Sequence, residues 1–195
     1  MYYAIYRDVR DSAWRCLLNF RVNSLPVDVL GIARAANIRV VRNSLANRLE
    51  DGEKGKVLTN GHDWIIVYDD TQPVPVCRFT LAHELGHFFL GHDLKYAKYA
   101  GIQEFVGKGK SEKQADAFAT RLLCPACILH DLKLTTAEQI AATCRVPLDV
   151  AARRADRMRE LNERNRFFTN PLEQEVFENF RAYLSDHRHR HDYEK

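Results

Sequence analysis

The 195-residue chain has no internal repeat and no apolar run of membrane-spanning length. Its first residues, Met1-Tyr2-Tyr3-Ala4-Ile5-Tyr6-Arg7-Asp8, contain no long apolar segment, so neither a secretory leader nor a membrane anchor is expected there, and a cytoplasmic location is. Cysteine is sparse and odd in number, with five residues. That odd count, with no secretory or membrane segment, favours a reducing compartment, and Cys16, Cys77 and Cys144 stand singly. Charge of one sign is also lacking: the net value of +3 is too weak to demand a nucleic-acid partner. With 46% hydrophobic residues the chain can bury a core, in one or two small domains.

Against this plain background stands His83-Glu84-Leu85-Gly86-His87. On a helix, positions four apart share a face, so both imidazoles face one way with a carboxylate beside them. That is what a hydrolytic zinc site requires. Neutral imidazoles hold the ion, the ion lowers the pKa of a bound water, and the glutamate takes the water's proton as general base.

The surroundings suit the motif. Asp63-Trp64-Ile65-Ile66-Val67-Tyr68-Asp69-Asp70 reads as a buried strand, apolar, β-branched and aromatic between charged ends. Thr71, Gln72, Pro73 and Pro75 break the chain, and Phe79, Ala82, Gly86, Phe89 and Leu90 then recur at helical spacing. Gly91 is the expected stop. A substrate is expected as an extended strand near Trp64 to Tyr68, added to a sheet edge.

A catalytic zinc takes three protein ligands and a water, so a third ligand is needed. The best candidate lies in the segment Ser111-Glu112-Lys113-Gln114-Ala115-Asp116. Ser111 and Gln114 have capping-box spacing, which would make Glu112 the first helical residue. Asp116 falls one turn on, placed to accept the outer N–H of a ligand histidine while Glu112 binds the metal. His92 and Asp116 are the rival ligands. His92 follows Gly91, five residues after His87, where a continuous helix would carry it away from the pair. The metzincin pattern fails, since the positions it needs hold Leu90 and Asp93.

Val76-Cys77-Arg78-Phe79-Thr80-Leu81-Ala82 leading into the motif, with Glu112 to Ala119 and Leu122-Leu123-Cys124-Pro125 after it, resembles the ImmA/IrrE family of bacterial and mobile-element metallopeptidases. Ser24-Leu25-Pro26-Val27-Asp28 through Val41 resembles that family's opening helix and strand. The likeness spans about residues 24–160. It implies an α+β, zincin-like domain with a small antiparallel or mixed sheet and an active-site helix, followed by a helix-turn-helix-like region. It also implies Zn2+ held by His83, His87 and Glu112, Glu84 as catalytic base and Asp116 behind a ligand. The implied activity is a zinc metalloendopeptidase that cleaves or inactivates a helix-turn-helix repressor, so derepressing a mobile element or stress response. Gln114 departs from the family, whose members often carry a second acid there, and Cys124 replaces a common methionine.

The division expected along the chain is 1–130 for the metallopeptidase domain, with a helix in 1–22; 131–165 for the helix-turn-helix-like region; and 166–195 for a last helix and a polar, flexible tail with His187, His189 and His191. Thr135 and Glu138 form a second capping-box signal, and Arg145-Val146-Pro147 turns the chain. Arg153, Arg154, Arg157 and Arg159 could meet phosphates of DNA, or form a solvated face paired with Asp156 and Glu160. Cys124-Pro125-Ala126-Cys127 lacks the second pair of a zinc ribbon and follows a helix rather than a strand, so free, packed thiols are expected. His62 and His130 read as ordinary loop or packing residues. A different class of reading makes the protein a non-catalytic zinc-containing module that binds a repressor or DNA, against which Glu84 argues because a purely structural site has no use for a base.

Overall fold

In the computed structural model, which describes residues 2–96, 101–105 and 109–193, the chain opens on helix α1 (Tyr2–Asn19). Val9, Ala13, Trp14, Cys16 and Leu17 are buried, at the spacing of three and four that gives a helix one apolar stripe. Packing divides the chain into two units that interleave in sequence: Met1–Ser12 with Asp28–Ala119, and Ala13–Val27 with Thr120–Lys195. This division cuts across the contiguous one at residue 130 expected from the sequence.

The first unit holds the sheet. Helix α2 (Val29–Ala35) is capped by Asp28, whose carboxylate accepts the Gly31 N–H at 2.9 Å, and leads into strand β1 (Ile38–Arg42) and the short helix α3 (Asn43–Ala46). Strands β2 (Gly55–Thr59) and β3 (Trp64–Tyr68) follow, then helix α4 (Val74–Phe89), strands β4 (Leu94–Tyr96) and β5 (Gln103–Phe105), and helix α5 (Lys110–Leu123), which runs on past the unit's last residue. The sheet order is β1-β3-β2-β5-β4. Among the described residues only the β1–β3 pair is parallel, so the sheet is small and mixed and the domain is α+β and zincin-like. Val40, Ile66 and Val57 lie abreast across β1, β3 and β2, and α4 packs against β2 and β3.

One expectation about substrate is overturned here. Strand β3 pairs with β1 on one side and β2 on the other, so the Trp64–Tyr68 segment has no free edge to offer a peptide. A buried, β-branched run identifies a strand but carries no information about which strands flank it.

Helix boundaries also differ from expectation by small, explicable amounts. Helix α4 starts at Val74, because Pro73 caps it and Pro75 sits in the first turn, where its missing N–H costs nothing. Asp69 stabilises the turn before it, its carboxylate accepting from Thr71 N–H at 3.0 Å, Thr71 Oγ1 at 2.6 Å and Gln72 Nε2 at 2.7 Å. Those bonds hold the Asp69 carboxyl below the usual carboxylate range. Helix α5 begins at Lys110, so Ser111 lies inside it rather than capping it.

The second unit is helical: it contains α6 (Ala126–Asp131), α7 (Ala137–Cys144), α8 (Leu148–Glu163), α9 (Pro171–Asn179) and α10 (Arg181–Tyr193). Ile128, Leu129, Ile140, Met158 and Phe180 are fully buried in it. The capping box of α7 is Thr136 with Gln139, one residue later than the Thr135 and Glu138 pairing. Arg145 at φ +51° turns α7 into α8, giving the short helix, turn and longer helix that the sequence suggests. The segment expected as a flexible tail continues α10 to Tyr193, while the side chains of His189 and His191 lie outside the described residues. No helix among the described residues is long and apolar enough to cross a membrane.

Candidate metal centre

Helix α4 carries His83, Glu84 and His87 on its inner side, with Glu84 and His87 buried. The two imidazoles lie one above the other, ring centroids 4.8 Å apart. Helix α5 supplies the third group. Glu112 Oε2 is 3.3 Å from His83 Nε2, Glu112 Oε1 is 3.2 Å from His87 Nε2, and the two Nε2 atoms are 3.0 Å apart. Ligands about 2.0–2.1 Å from a tetrahedral zinc are roughly 3.3 Å from one another, so this triangle has the size of one face of such a site. His83, His87 and Glu112 therefore form a candidate metal-holding group, and its nitrogen and carboxylate donors suit zinc.

The close approach of the two helices depends on Gly86. A Cβ there would lie 3.1 Å from Ala115 Cα and 3.2 Å from Ala115 O, tighter than ordinary contact. The absence of a side chain at the middle of the motif thus lets α5 approach near enough for Glu112 to reach both histidines. At the other side of α4, a Cβ at Gly55 would stand 2.5 Å from Thr80 Cγ2 and 3.2 Å from Glu84 Oε1, so β2 also presses closely on the motif.

Electrostatics polarise the cluster. Burial alone would pull the His83 pKa down, but its hydrogen bonds to Asp116 and Glu112 outweigh this and push it up to about 10. Burial takes His87 the other way, down to about 4. Hydrogen bonding to His83 lowers the Glu112 carboxyl. Glu84, by contrast, is pushed up to about 7, chiefly by burial and then by the neighbouring Glu112 charge against the opposing pull of His83. No hydrogen bond reaches its carboxyl from the described residues. A carboxyl poised near neutrality beside three converging ligand atoms is equipped to exchange protons.

The geometry also separates the rival third ligands. Asp116 Oδ1 lies 2.9 Å from His83 Nδ1, on the side of that ring away from the triangle. His92 Nδ1 lies 2.9 Å from His87 Nδ1, again behind the ring and turned from the triangle. Phe105 of β5 stacks on His87 with centroids 5.7 Å apart, a contact that the sequence reading missed because nothing local links β5 to the motif.

Residues 33–156 match the model of the IrrE N-terminal-like domain, peptidase family M78. The chain belongs to the ImmA/IrrE family. Its catalytic-type domain is accordingly a metallopeptidase of that kind. No curated protein matches it.

The other candidates resolve as packing. Cys16, Cys124, Cys127 and Cys144 are buried and Cys77 is half-buried, none in a disulfide among the described residues, and burial pushes the Cys127 thiol up to about 12. His130 stacks on Phe167 at 3.9 Å and pairs with Asn162 through Nδ1 at 2.9 Å. Of the four arginines of α8, Arg154 is buried, and Arg153, Arg157 and Arg159 pair with Asp149, Glu160 and Asp156.

Proposed function

We propose that this ImmA/IrrE-family protein is a zinc endopeptidase whose ligands are His83, His87 and Glu112 and whose base is Glu84. The observation that carries this is the juxtaposition of the three converging donors with a buried carboxyl that has no hydrogen-bond partner among the described residues. A zinc ion in that triangle would supply Lewis-acid activation of a water and of a peptide carbonyl. Glu84 takes the water's proton and then delivers it to the leaving amine. Asp116 accepts from His83 Nδ1, which leaves Nε2 free to face the triangle and fixes the ring.

The substrate we propose is a helix-turn-helix repressor, in line with the family's expected role, and its cleavage would derepress a mobile element or stress response. A bound peptide would add to β4, the outer strand on the side where β5 brings Phe105 against His87. The test is incubation of the zinc-loaded chain, and of its Glu84→Gln variant, with a helix-turn-helix repressor from the same genome, chosen for a gene near this one, followed by mass spectrometry. New fragments with the native chain alone are expected. Stoichiometric release of intact repressor from its DNA, with no fragments, would overturn the peptidase reading in favour of a binding module.

A further inference from the structure

The two histidines of the motif are supported from behind in different ways. His83 Nδ1 meets the Asp116 carboxylate, whereas His87 Nδ1 meets the imidazole of His92 at 2.9 Å, the rings tilted 76° to each other with centroids 4.8 Å apart. Resting on the zinc reading above, we propose that His92 is a positioning residue, which accepts the Nδ1–H of His87 and so fixes the orientation and tautomer that present His87 Nε2 to the metal.

The backbone builds this contact deliberately. Leu90 closes α4 and Gly91 takes the left-handed conformation, at φ +63°. The Gly91 N–H then donates to Phe88 O at 3.2 Å and the His92 N–H to His87 O at 3.2 Å, the paired bonds of a Schellman ending. That ending folds His92 back over the last turn, onto the very residue whose ring it touches. In a continuing helix the same side chain would point elsewhere, which is why its sequence position suggested separation.

Proton bookkeeping then fixes the roles. A neutral imidazole has one N–H and one lone pair. With a metal on His87 Nε2, as the zinc reading requires, the one proton of that ring would sit on Nδ1, so His92 Nδ1 would be the acceptor and His92 would carry its own proton on Nε2. That nitrogen is buried, and among the described residues no group meets it at full hydrogen-bond geometry. The Gln114 side chain, from α5, acts on the ring, together with the charges of Glu112, His83 and Asp93. A buried N–H is expensive to leave without an acceptor. Retaining one here is intelligible if the opposite nitrogen is needed by His87. Phe105 confines the other face of the His87 ring, so the imidazole is held between a phenyl face and an accepting edge.

The experiment is zinc affinity by competition with a chromophoric chelator on the full chain, beside denaturant unfolding of the metal-free protein. His92→Phe keeps a ring and removes the acceptor, and should weaken zinc by about 10–100-fold without a matching loss of metal-free stability. His92→Asn, whose Oδ1 can stand in for Nδ1, should restore most of the affinity. Unchanged affinity in His92→Phe would overturn the proposal while leaving the zinc site intact. Absence of zinc from the native chain would overturn both this proposal and the reading beneath it. Should His92→Phe fail to fold, histidine ring 15N spectra of the zinc-loaded native chain decide: His92 protonated at Nε2 supports the assignment, and His92 protonated at Nδ1 overturns it.

Discussion

Helices α4 and α8 have the same length, 16 residues, and both start behind a proline with no side-chain cap, yet they bury charge in opposite ways. In α8 the buried group is Arg154, 6% exposed, whose Nε and Nη2 both donate to Cys124 O, at 2.9 and 2.6 Å. In α4 it is Glu84, 7% exposed, which no hydrogen bond from the described residues reaches and whose pKa is driven up to about 7 by burial. A buried polar group that finds its partner within the protein holds the fold together. One that no hydrogen bond from the described residues reaches is costly to keep charged, and beside converging donor atoms it is a candidate for proton exchange.

The contrast is broken most sharply by Glu84→Gln. Removing a general base costs about 10²–10⁴-fold in rate, so cleavage of the partner should fall by that factor while bound zinc, measured by mass spectrometry, stays near one per chain. Retained cleavage would end the assignment of Glu84 as base. Glu112→Ala should instead lose the metal, which separates holding from chemistry.

Arg154→Leu probes the opposite half. It removes both donors from a buried carbonyl, a loss of about 1–3 kcal/mol, and a thermal melt should show a drop of several degrees. Zinc affinity of the folded variant should not change. Gly86→Ala lies between the two: overpacking against Ala115 costs about 1–3 kcal/mol, and pushing α5 away should weaken zinc binding as well. A Gly86→Ala protein with native affinity would show that Glu112 reaches the histidines without the close helix contact.

The pH dependence of metal-free stability sharpens the comparison further. Because the folded state raises the Glu84 pKa from 4.5 to about 7, it holds that proton more tightly than the unfolded chain does. Stability from this group is therefore present at low pH and lost as pH climbs from about 4.5 through 7. In chelator, Glu84→Gln should be more stable than the native chain at pH 8, by roughly 2–3 kcal/mol, with the advantage gone near pH 4. Urea midpoints at the two pH values measure it. An equal difference at both would mean that burial of the charge is not what strains α4.

The part of the site that was legible in the sequence is the part encoded by local periodicity. Spacing of four put His83 and His87 on one face, and the same periodicity on α5 put Glu112 and Asp116 where one could face the metal and the other His83 Nδ1. What was illegible depends on non-local pairing or on single backbone reversals. The flanking of β3 by β1 and β2 leaves no mark in its own residues, and the stacking of Phe105 on His87 follows from sheet order alone. A helix continued through Gly91 would carry His92 away from the motif, and the sequence does not show that the chain turns back at that residue. The close packing at Gly86 is likewise set by a neighbour 29 positions away, Ala115.

The smallest expected effect concerns the outer face of α8. Arg153 and Arg159 pair with Asp149 and Asp156 at 3.0 and 2.9 Å, with arginine side chains 65% and 69% exposed, and Arg157 pairs with Glu160. Exposed helical pairs contribute about 0.3–0.5 kcal/mol each. Replacing all three arginines with alanine should therefore lower stability by only about 1 kcal/mol, and partner cleavage should persist at its native rate. If these arginines instead meet phosphates, the triple variant should lose DNA retention in a filter assay and the native chain's retention should fall with salt. The pairing geometry favours the first outcome, because each guanidinium already has a carboxylate at helical spacing that a phosphate would have to displace.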